Sequence, residues 1–421
     1  MALEAGKKCL CLPDGKGGYT AYEISAPAVG EKCILLPDGK GGYIAVGVSA
    51  PEAGDKVPVV PDGKGGYLTW AAGASTLKYY FADIWRDTDG DWHTDVICEA
   101  TDSITSDFYA AGSSYSTCIA NDEVWILFCP KAGSPTLAHR SLTGSGWNTE
   151  NIDLGTSNDI SWCGSIYMDG TTLKIAYATN AGLKYTERSS DGSYSDIETV
   201  TGSSKARIIL ITDSNNIGYI HYIDSTSGGF YYQSGESWGN NSYISGGTVY
   251  THDAICQGDK NYIALNIRDY PYVSNGHYFQ YSTAGASYTS EKLAAPRYCW
   301  NAGIIYDGSI YHLYMGISDD LYTNHRIRHY YGTSGSWDYE DIITNYNTTL
   351  VPNGTYRVHY TNSKVYMFLH TTLSSSTAYI CNSDDYETQE AVSCDYTSFN
   401  GYPTFSVSDG GEIHIGTIVK K

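Results

Sequence analysis

The sequence predicts an all-β protein: a seven-bladed β-propeller closed by a shared blade and preceded by three 24-residue β-hairpin repeats. Three observations carry this. First, a turn-plus-aromatic phrase recurs, with Trp92, Trp147, Tyr194, Trp238, Tyr288, Trp337 and Tyr386 as its anchors, at spacings of 55, 47, 44, 50, 49 and 49 residues. A fixed period of about 40–50 residues is that of a four-stranded propeller blade. Second, Leu12-Pro13-Asp14-Gly15-Lys16-Gly17-Gly18-Tyr19 returns at 36–43 and, with Val60 leading, at 60–67. Third, the 421 residues include 40 Tyr and 45 Gly, and aromatic and β-branched runs are broken by Gly, Ser, Asn and Asp. Such runs read as strands and turns, and no helical periodicity longer than about two turns interrupts them.

Residues 1–74 form the first predicted domain. Strand, Pro-Asp-Gly turn, strand is a hairpin sentence, and Ser25-Ala26-Pro27 and Ser49-Ala50-Pro51 are joints. One such hairpin is barely stable alone, so the three need one another, a partner surface or further copies of the chain. The segment is read as an attachment or oligomerisation module, with a plain spacer as the alternative.

Residues 75–421 form the second domain. In the cleanest blade, strands are expected at 163–168, 173–178, 183–188 and 194–200. The ends of the domain are offset. It begins with a third-fourth hairpin, Leu77–Asp83 then Trp92–Cys98, and ends with a first-second hairpin, Tyr402–Ser408 then Glu412–Val419. Joined, they make the seventh blade and hide two sheet edges.

The formal net charge is −20, of which 75–421 contributes −19, with 19 Lys/Arg against 38 Asp/Glu. That is a poor match for a nucleic-acid backbone or an anionic lipid surface. No run reaches the roughly 18 apolar residues of a membrane span. Met1 to Lys8 lacks the apolar core of a signal peptide, so a soluble protein is expected, released by lysis or carried on a particle. Among the 11 cysteines, Cys118, Cys129, Cys163, Cys256 and Cys381 sit in apolar strand patterns and read as buried free thiols. No Cys spacing suits structural zinc. Asp87-Thr88-Asp89-Gly90-Asp91 has the alternating acids of a calcium loop, yet Cys98 stands where an EF-hand places its bidentate Glu. Calcium at Asp87, Asp89 and Asp91 is therefore set beside an ordinary acidic turn, and no other cofactor is expected.

The hairpin turns are short and lie on one face of the disc. The remaining connections, such as 99–115, 268–276, 318–328 and 344–356, are long and varied and emerge on the other face, where function is expected. The candidate ligand-binding residues there are Trp162, His252, Asp253, Arg297, Tyr298, Trp300, Tyr356, Arg357 and Tyr402. Aromatic rings beside Asp, Asn, Arg and His suit sugars, whose faces stack and whose hydroxyls need donors and acceptors. They suit protein surfaces equally. Gap-filling between blades is the alternative for each ring. Arg207, Asp253, Arg297, Arg357 and Asp159 stand near the starts of innermost strands and are read as channel-lining.

Thr88-Asp89-Gly90-Asp91-Trp92 and Ser190-Asp191-Gly192-Ser193-Tyr194 resemble the Asp box of sialidase-like (BNR-repeat) propellers. The resemblance implies a blade type. Sialidases also carry an Arg-Ile-Pro motif, which this chain lacks; its nearest phrase is Pro296-Arg297-Tyr298. In organisation the chain also looks like viral or phage receptor-binding and fibre-tip proteins: a repeated attachment segment followed by a Tyr-, Gly- and Ser-rich β head.

Three functions follow as expectations. The first is a non-catalytic recognition protein, adhesin- or lectin-like, that binds a glycan or cell-surface protein through the long-loop face. Residues 1–74 would attach it to a particle or scaffold protein, or make a homo-oligomer. The second is a glycoside hydrolase or lyase with carboxylates at the channel, although no pair stands out. The third is a structural subunit of a particle or filament.

Overall fold

The computed structural model describes the strands 9–13, 19–23, 33–37, 43–47, 59–61 and 67–69 of the N-terminal part. From Tyr79 it describes 79–100, 115–128, 134–153, 164–179, 181–203, 205–223, 228–243, 248–268, 276–283, 286–294, 298–318, 326–343, 355–370, 378–393 and 398–420. Of the strands before Tyr80, and of some later strand ends, only the backbone is described. The chain divides into two compact units, Met1–Lys78 and Tyr79–Lys421. Among the described residues no helix is long and apolar enough to cross a membrane.

The first unit holds three antiparallel hairpins, Cys9–Pro13 with Tyr19–Glu23, Cys33–Pro37 with Tyr43–Gly47, and Val59–Pro61 with Tyr67–Thr69. In each, the strand before the Pro-Asp-Gly phrase pairs with the strand that its Tyr opens.

The second unit is a seven-bladed β-propeller. Six sheets of four antiparallel strands follow one another in chain order, blades one to six. Their innermost strands are Tyr115–Ala120, Gly164–Asp169, Ala206–Thr212, Thr248–Gln257, Tyr298–Tyr306 and Thr355–Thr361. The seventh sheet runs Ser398–Val407, Ile413–Lys420, Tyr79–Arg86, Trp92–Ala100, so both ends of the unit share one blade. Ile415 pairs with Ile84 and Ile418 with Phe81 across that junction.

Turn chemistry explains the tight connections. Asn121 and Asp122 have φ of 54° and 59°, and Asn362 and Ser363 have 51° and 58°. Two successive left-handed residues make the hairpin turn whose twist matches that of the strands. Elsewhere an aspartate closes the turn: Asp213 Oδ1 accepts the N–H groups of Asn215 and Ile217, both at 2.9 Å.

The core lies between blades. Among the described residues, seven apolar clusters occur, each built from two consecutive blades. One joins Ile211, Tyr219 and Phe230 of blade three to Ile263 and Leu265 of blade four. Another joins Phe81 and Ile418 of the shared blade to Val124, Ile126 and Phe128 of blade one. Flat, twisted sheets stacked face to face remove apolar area on both sides of every blade.

The recurring aromatics stitch the rim. A glutamate on the outermost strand of one blade accepts from the anchor of the next. Glu198 accepts Trp238 Nε1–H at 2.8 Å, Glu291 accepts Trp337 Nε1–H at 2.9 Å, and Glu390 accepts Trp92 Nε1–H at 3.0 Å. Glu150 accepts the Tyr194 hydroxyl and a bidentate pair from Arg188, at 3.0 and 2.7 Å. Tyr288 donates within the core to Asn261, at 3.1 Å.

Two sequence expectations need correction. Tyr194 does not open the fourth strand of blade two: it makes an isolated bridge to Arg188, and the strand begins at Glu198. Its ring is drawn sideways to Glu150 instead. Of the cysteines read as buried, Cys381 is buried, whereas Cys118 and Cys256 are half-buried; Cys129 and Cys163 lie outside the described residues. Burial pushes the Cys118 thiol up to about 11 and that of Cys381 to about 12.

Candidate functional site

Innermost strands have a partner on one edge only, so their other N–H groups must be satisfied elsewhere. A side-chain seam does this between blades. Thr117 N–H donates to Thr404 Oγ1 (2.9 Å), Ile166 N–H to Ser116 Oγ (3.1 Å), and Leu210 N–H to Ser165 Oγ (2.9 Å). Ser116 and Ser165 each directly precede a residue that donates to the blade before. In blade four the acceptor position holds Asp253. Its Oδ2 accepts Ile304 N–H of blade five at 2.9 Å, and its Oδ1 accepts its own neighbour Ala254 N–H at 3.0 Å. In blade five the position holds Gly303, where an added Cβ would lie 2.6 Å from Val358 of blade six.

Asp253 thus stands where Thr404, Ser116 and Ser165 offer a hydroxyl acceptor at three other blade junctions. Burial raises its carboxyl to about 6, against the two amides and the positive charge of Arg357. Its neighbour His252 is buried, and burial holds it well below the usual histidine range. The charges of Arg207 and Arg357 push the same way, while a bond to the backbone of His221 opposes them. His221 in turn lies 3.0 Å through Nδ1 from the Tyr243 hydroxyl, and burial lowers it to about 3. The charges of Arg207 in blade three and Arg357 in blade six are felt at His252, and that of Arg357 at Asp253, both in blade four.

The starts of the innermost strands are irregular at this end. Register shifts fall between Ala206 and Ile209, Val249 and Thr251, Trp300 and Ala302, and Asn400 and Thr404. Arg207 sits in the first bulge with φ of 49°, a conformation costly for a non-glycine residue. Bulges re-aim side chains at the rims of closed sheets.

Of the sequence candidates, His252 and Asp253 are neighbours on the innermost strand of blade four, and the charge of Arg357 bears on both, as does that of Arg207 on His252. Tyr298, Trp300, Tyr356 and Tyr402 fall on innermost strands, as Tyr298 opposite Ser318 and Tyr356 opposite Leu369 show; their side chains lie outside the described residues. Trp162, Arg297 and Asp159 lie outside the described residues, as do most of the long connections: 101–114, 269–275, 319–325 and 344–354. The sequence reading missed Ser116, Ser165 and Thr404, and the His221–Tyr243 pair. The signal for Ser116 and Ser165 was a hydroxyl residue one place before the strand residue whose N–H donates to the blade before.

The candidate calcium loop is a hydrogen-bonded turn. Asp87 Oδ1 accepts the N–H groups of Asp89 (3.0 Å) and Asp91 (2.8 Å), and Oδ2 lies 2.9 Å from His93 Nε2. Both oxygens of the carboxylate are spent on the turn. Among the described residues no three His, Cys, Asp or Glu side chains converge as a metal site.

No protein-family model and no curated protein matches this sequence. Solved structures do resemble it. The BP39L lectin from Burkholderia pseudomallei aligns with a TM-score of 0.54 and 9% identity, over 74% of this chain and 97% of the lectin. A PL25 ulvan lyase aligns with a TM-score of 0.49 and 11% identity, over 75% of this chain and 94% of the lyase. A Trypanosoma rangeli sialidase aligns with a TM-score of 0.40 and 10% identity, over 79% of this chain and 56% of the sialidase. At such identities the likeness is one of fold.

Proposed function

We propose that the protein is a non-catalytic recognition protein whose propeller binds a glycan at the channel end where the innermost strands begin. The observation that carries this reading is the His252–Asp253 pair of blade four, within the electrostatic reach of Arg207 and Arg357, at an end where four innermost strands are bulged. Guanidinium groups beside a buried imidazole and a carboxyl offer donors and acceptors suited to sugar hydroxyls. Tyr298, Trp300, Tyr356 and Tyr402, which belong to the same strand starts, supply rings for stacking in this reading. The lectin likeness supports it at the level of fold.

The hydrolase or lyase reading fares worse for a stated reason. A general acid or base needs a carboxyl oxygen free to reach substrate. Both oxygens of Asp253 are engaged by backbone N–H groups at the junction of blades four and five, which fits a structural carboxyl better than a free general acid or base. The N-terminal hairpins complete the proposal as an attachment unit for a particle or scaffold protein, or for further copies of the chain; three similar loops gain by avidity.

A glycan array probed with the full chain, its Arg357→Ala variant and its Tyr298→Ala/Trp300→Ala double variant tests the site. Loss of binding in folded variants supports it, with about 2 kcal/mol or more expected for a stacked ring at a hot spot. Binding that survives both changes, or turnover of a chromogenic glycoside panel by the parent, overturns it.

A further inference from the structure

We propose that blade five carries a pH-sensitive strut, the hydrogen-bond chain Asp307–His312–His329–Glu340, which is complete only while it holds one proton more than two neutral imidazoles supply. The chain crosses the blade from the turn after its innermost strand to its outermost strand. His312 Nε2 lies 3.1 Å from Asp307 Oδ2, His312 Nδ1 lies 2.9 Å from His329 Nε2, and His329 Nδ1 lies 3.0 Å from Glu340 Oε1.

The count follows from donor chemistry. Three links need three hydrogens, and two neutral imidazoles bring only two, because each has one N–H. With both end groups ionised, one link would then set two lone pairs against each other. A third proton completes the chain. Asp307 is not its seat: the amides of Ile310 and Ser309, with His312, outweigh burial and hold that carboxyl far below its usual range. Glu340 has a side chain 57% exposed and open to water. The ring pair therefore takes the proton. His312 as imidazolium donates to Asp307 and to His329, and neutral His329 donates through Nδ1–H to Glu340. Two rings 2.9 Å apart do not both charge. Consistently, burial and the positive charge of His312 keep His329 low, with Glu340 opposing.

Among the described residues, tyrosines pack against the rings. Tyr314 stacks on His329 at 4.7 Å and 1°, and its hydroxyl meets that of Tyr386 of blade six at 3.0 Å. Tyr331 lies 5.2 Å from His329, and Tyr360 of blade six donates to the Asp307 carbonyl at 3.4 Å. The Cys381 thiol, facing Tyr314, is pushed up to about 12 and stays neutral. Loss of the extra proton breaks a link and loosens Ser336–Ile343, the outermost strand, which has a sheet partner on one side only. That strand carries Tyr339, 60% exposed, so the device makes this rim of the disc responsive to alkaline pH.

The test uses the full chain with 15N-labelled histidine. At pH 7 the parent should show one ring with both nitrogens protonated beside a neutral Nδ1–H ring; the His312→Gln spectrum, or His329→Gln where that variant does not fold, assigns them. The decisive variant is Glu340→Gln. Its amide can donate to His329 Nδ1 and close the chain with two neutral rings, so the imidazolium signal should vanish while the fold persists. A chain that binds its proton more tightly when folded confers stability that is lost as pH rises through its titration. As pH rises through the titration of the ring pair, the parent's unfolding midpoint should therefore fall further than that of Glu340→Gln. Two neutral rings in the parent at pH 7, or an imidazolium unchanged in Glu340→Gln, overturns the proposal.

Discussion

Replacing His221 by Phe tests whether the locus rests on neutral, buried imidazoles. His221 is fully buried, with its ring 5.5 Å from Phe230 and 6.1 Å from Tyr243. Burial lowers it from 6.5 to about 3. The folded state therefore binds fewer protons than the unfolded chain in that window. The resulting stability is fully present above about 6.5 and is lost as pH falls toward about 3. At pH 5 the unfolded histidine has gained about 1.5 pH units of protonation that the folded one refuses, or about 2 kcal/mol. Phe keeps the ring stack but removes the Tyr243 partner, at a cost of about 1–3 kcal/mol at every pH. Urea unfolding followed by tryptophan fluorescence should find His221→Phe less stable at pH 7.5, with the deficit shrinking by about 2 kcal/mol at pH 5. A deficit that is the same at both pH values would mean that His221 titrates alike in the folded and unfolded states, and the argument would fail.

Asp253→Asn should act in the opposite direction. The folded carboxyl titrates at about 6 against 3.8, so the parent loses stability as pH rises from about 4 through 6; the variant should lack that slope in the same unfolding series, and an unchanged slope refutes the assignment. Glu291→Ala removes the acceptor for Ser334 Oγ–H, Gly335 N–H and Trp337 Nε1–H. A loss of about 2 kcal/mol is expected against under about 0.5 for the exposed control Glu236→Ala, by denaturant melts. Deleting 402–421 strips the shared blade of its second strand and the end of its innermost strand, whereas deleting 1–73 leaves every propeller strand in place. Calorimetry should show a collapsed or broadened transition for the first deletion and a cooperative one for the second; comparable melts would count against the shared blade.

The sequence alone determined the blade repeat, because strand and turn formation are local. Seven aromatic anchors at similar spacing, and hairpin turns with Asn, Asp and Gly where φ turns positive, are legible without tertiary information. The offset ends were legible too, since a lone third-fourth hairpin at one end and a first-second hairpin at the other can each be completed only by the other. Which groups meet between blades was decided by the tertiary structure. The anchors look alike in sequence, yet Trp337 hooks Glu291 and Tyr288 turns inward to Asn261. Tyr194 left its expected strand for Glu150, 44 residues away. The seam hydroxyls, the Asp307–Glu340 chain and the reach of Arg207 and Arg357 to the His252–Asp253 pair share one cause. Each depends on the angle and register between separate sheets, and closing the ring sets these through packing of the whole interface rather than through any residue's own neighbours.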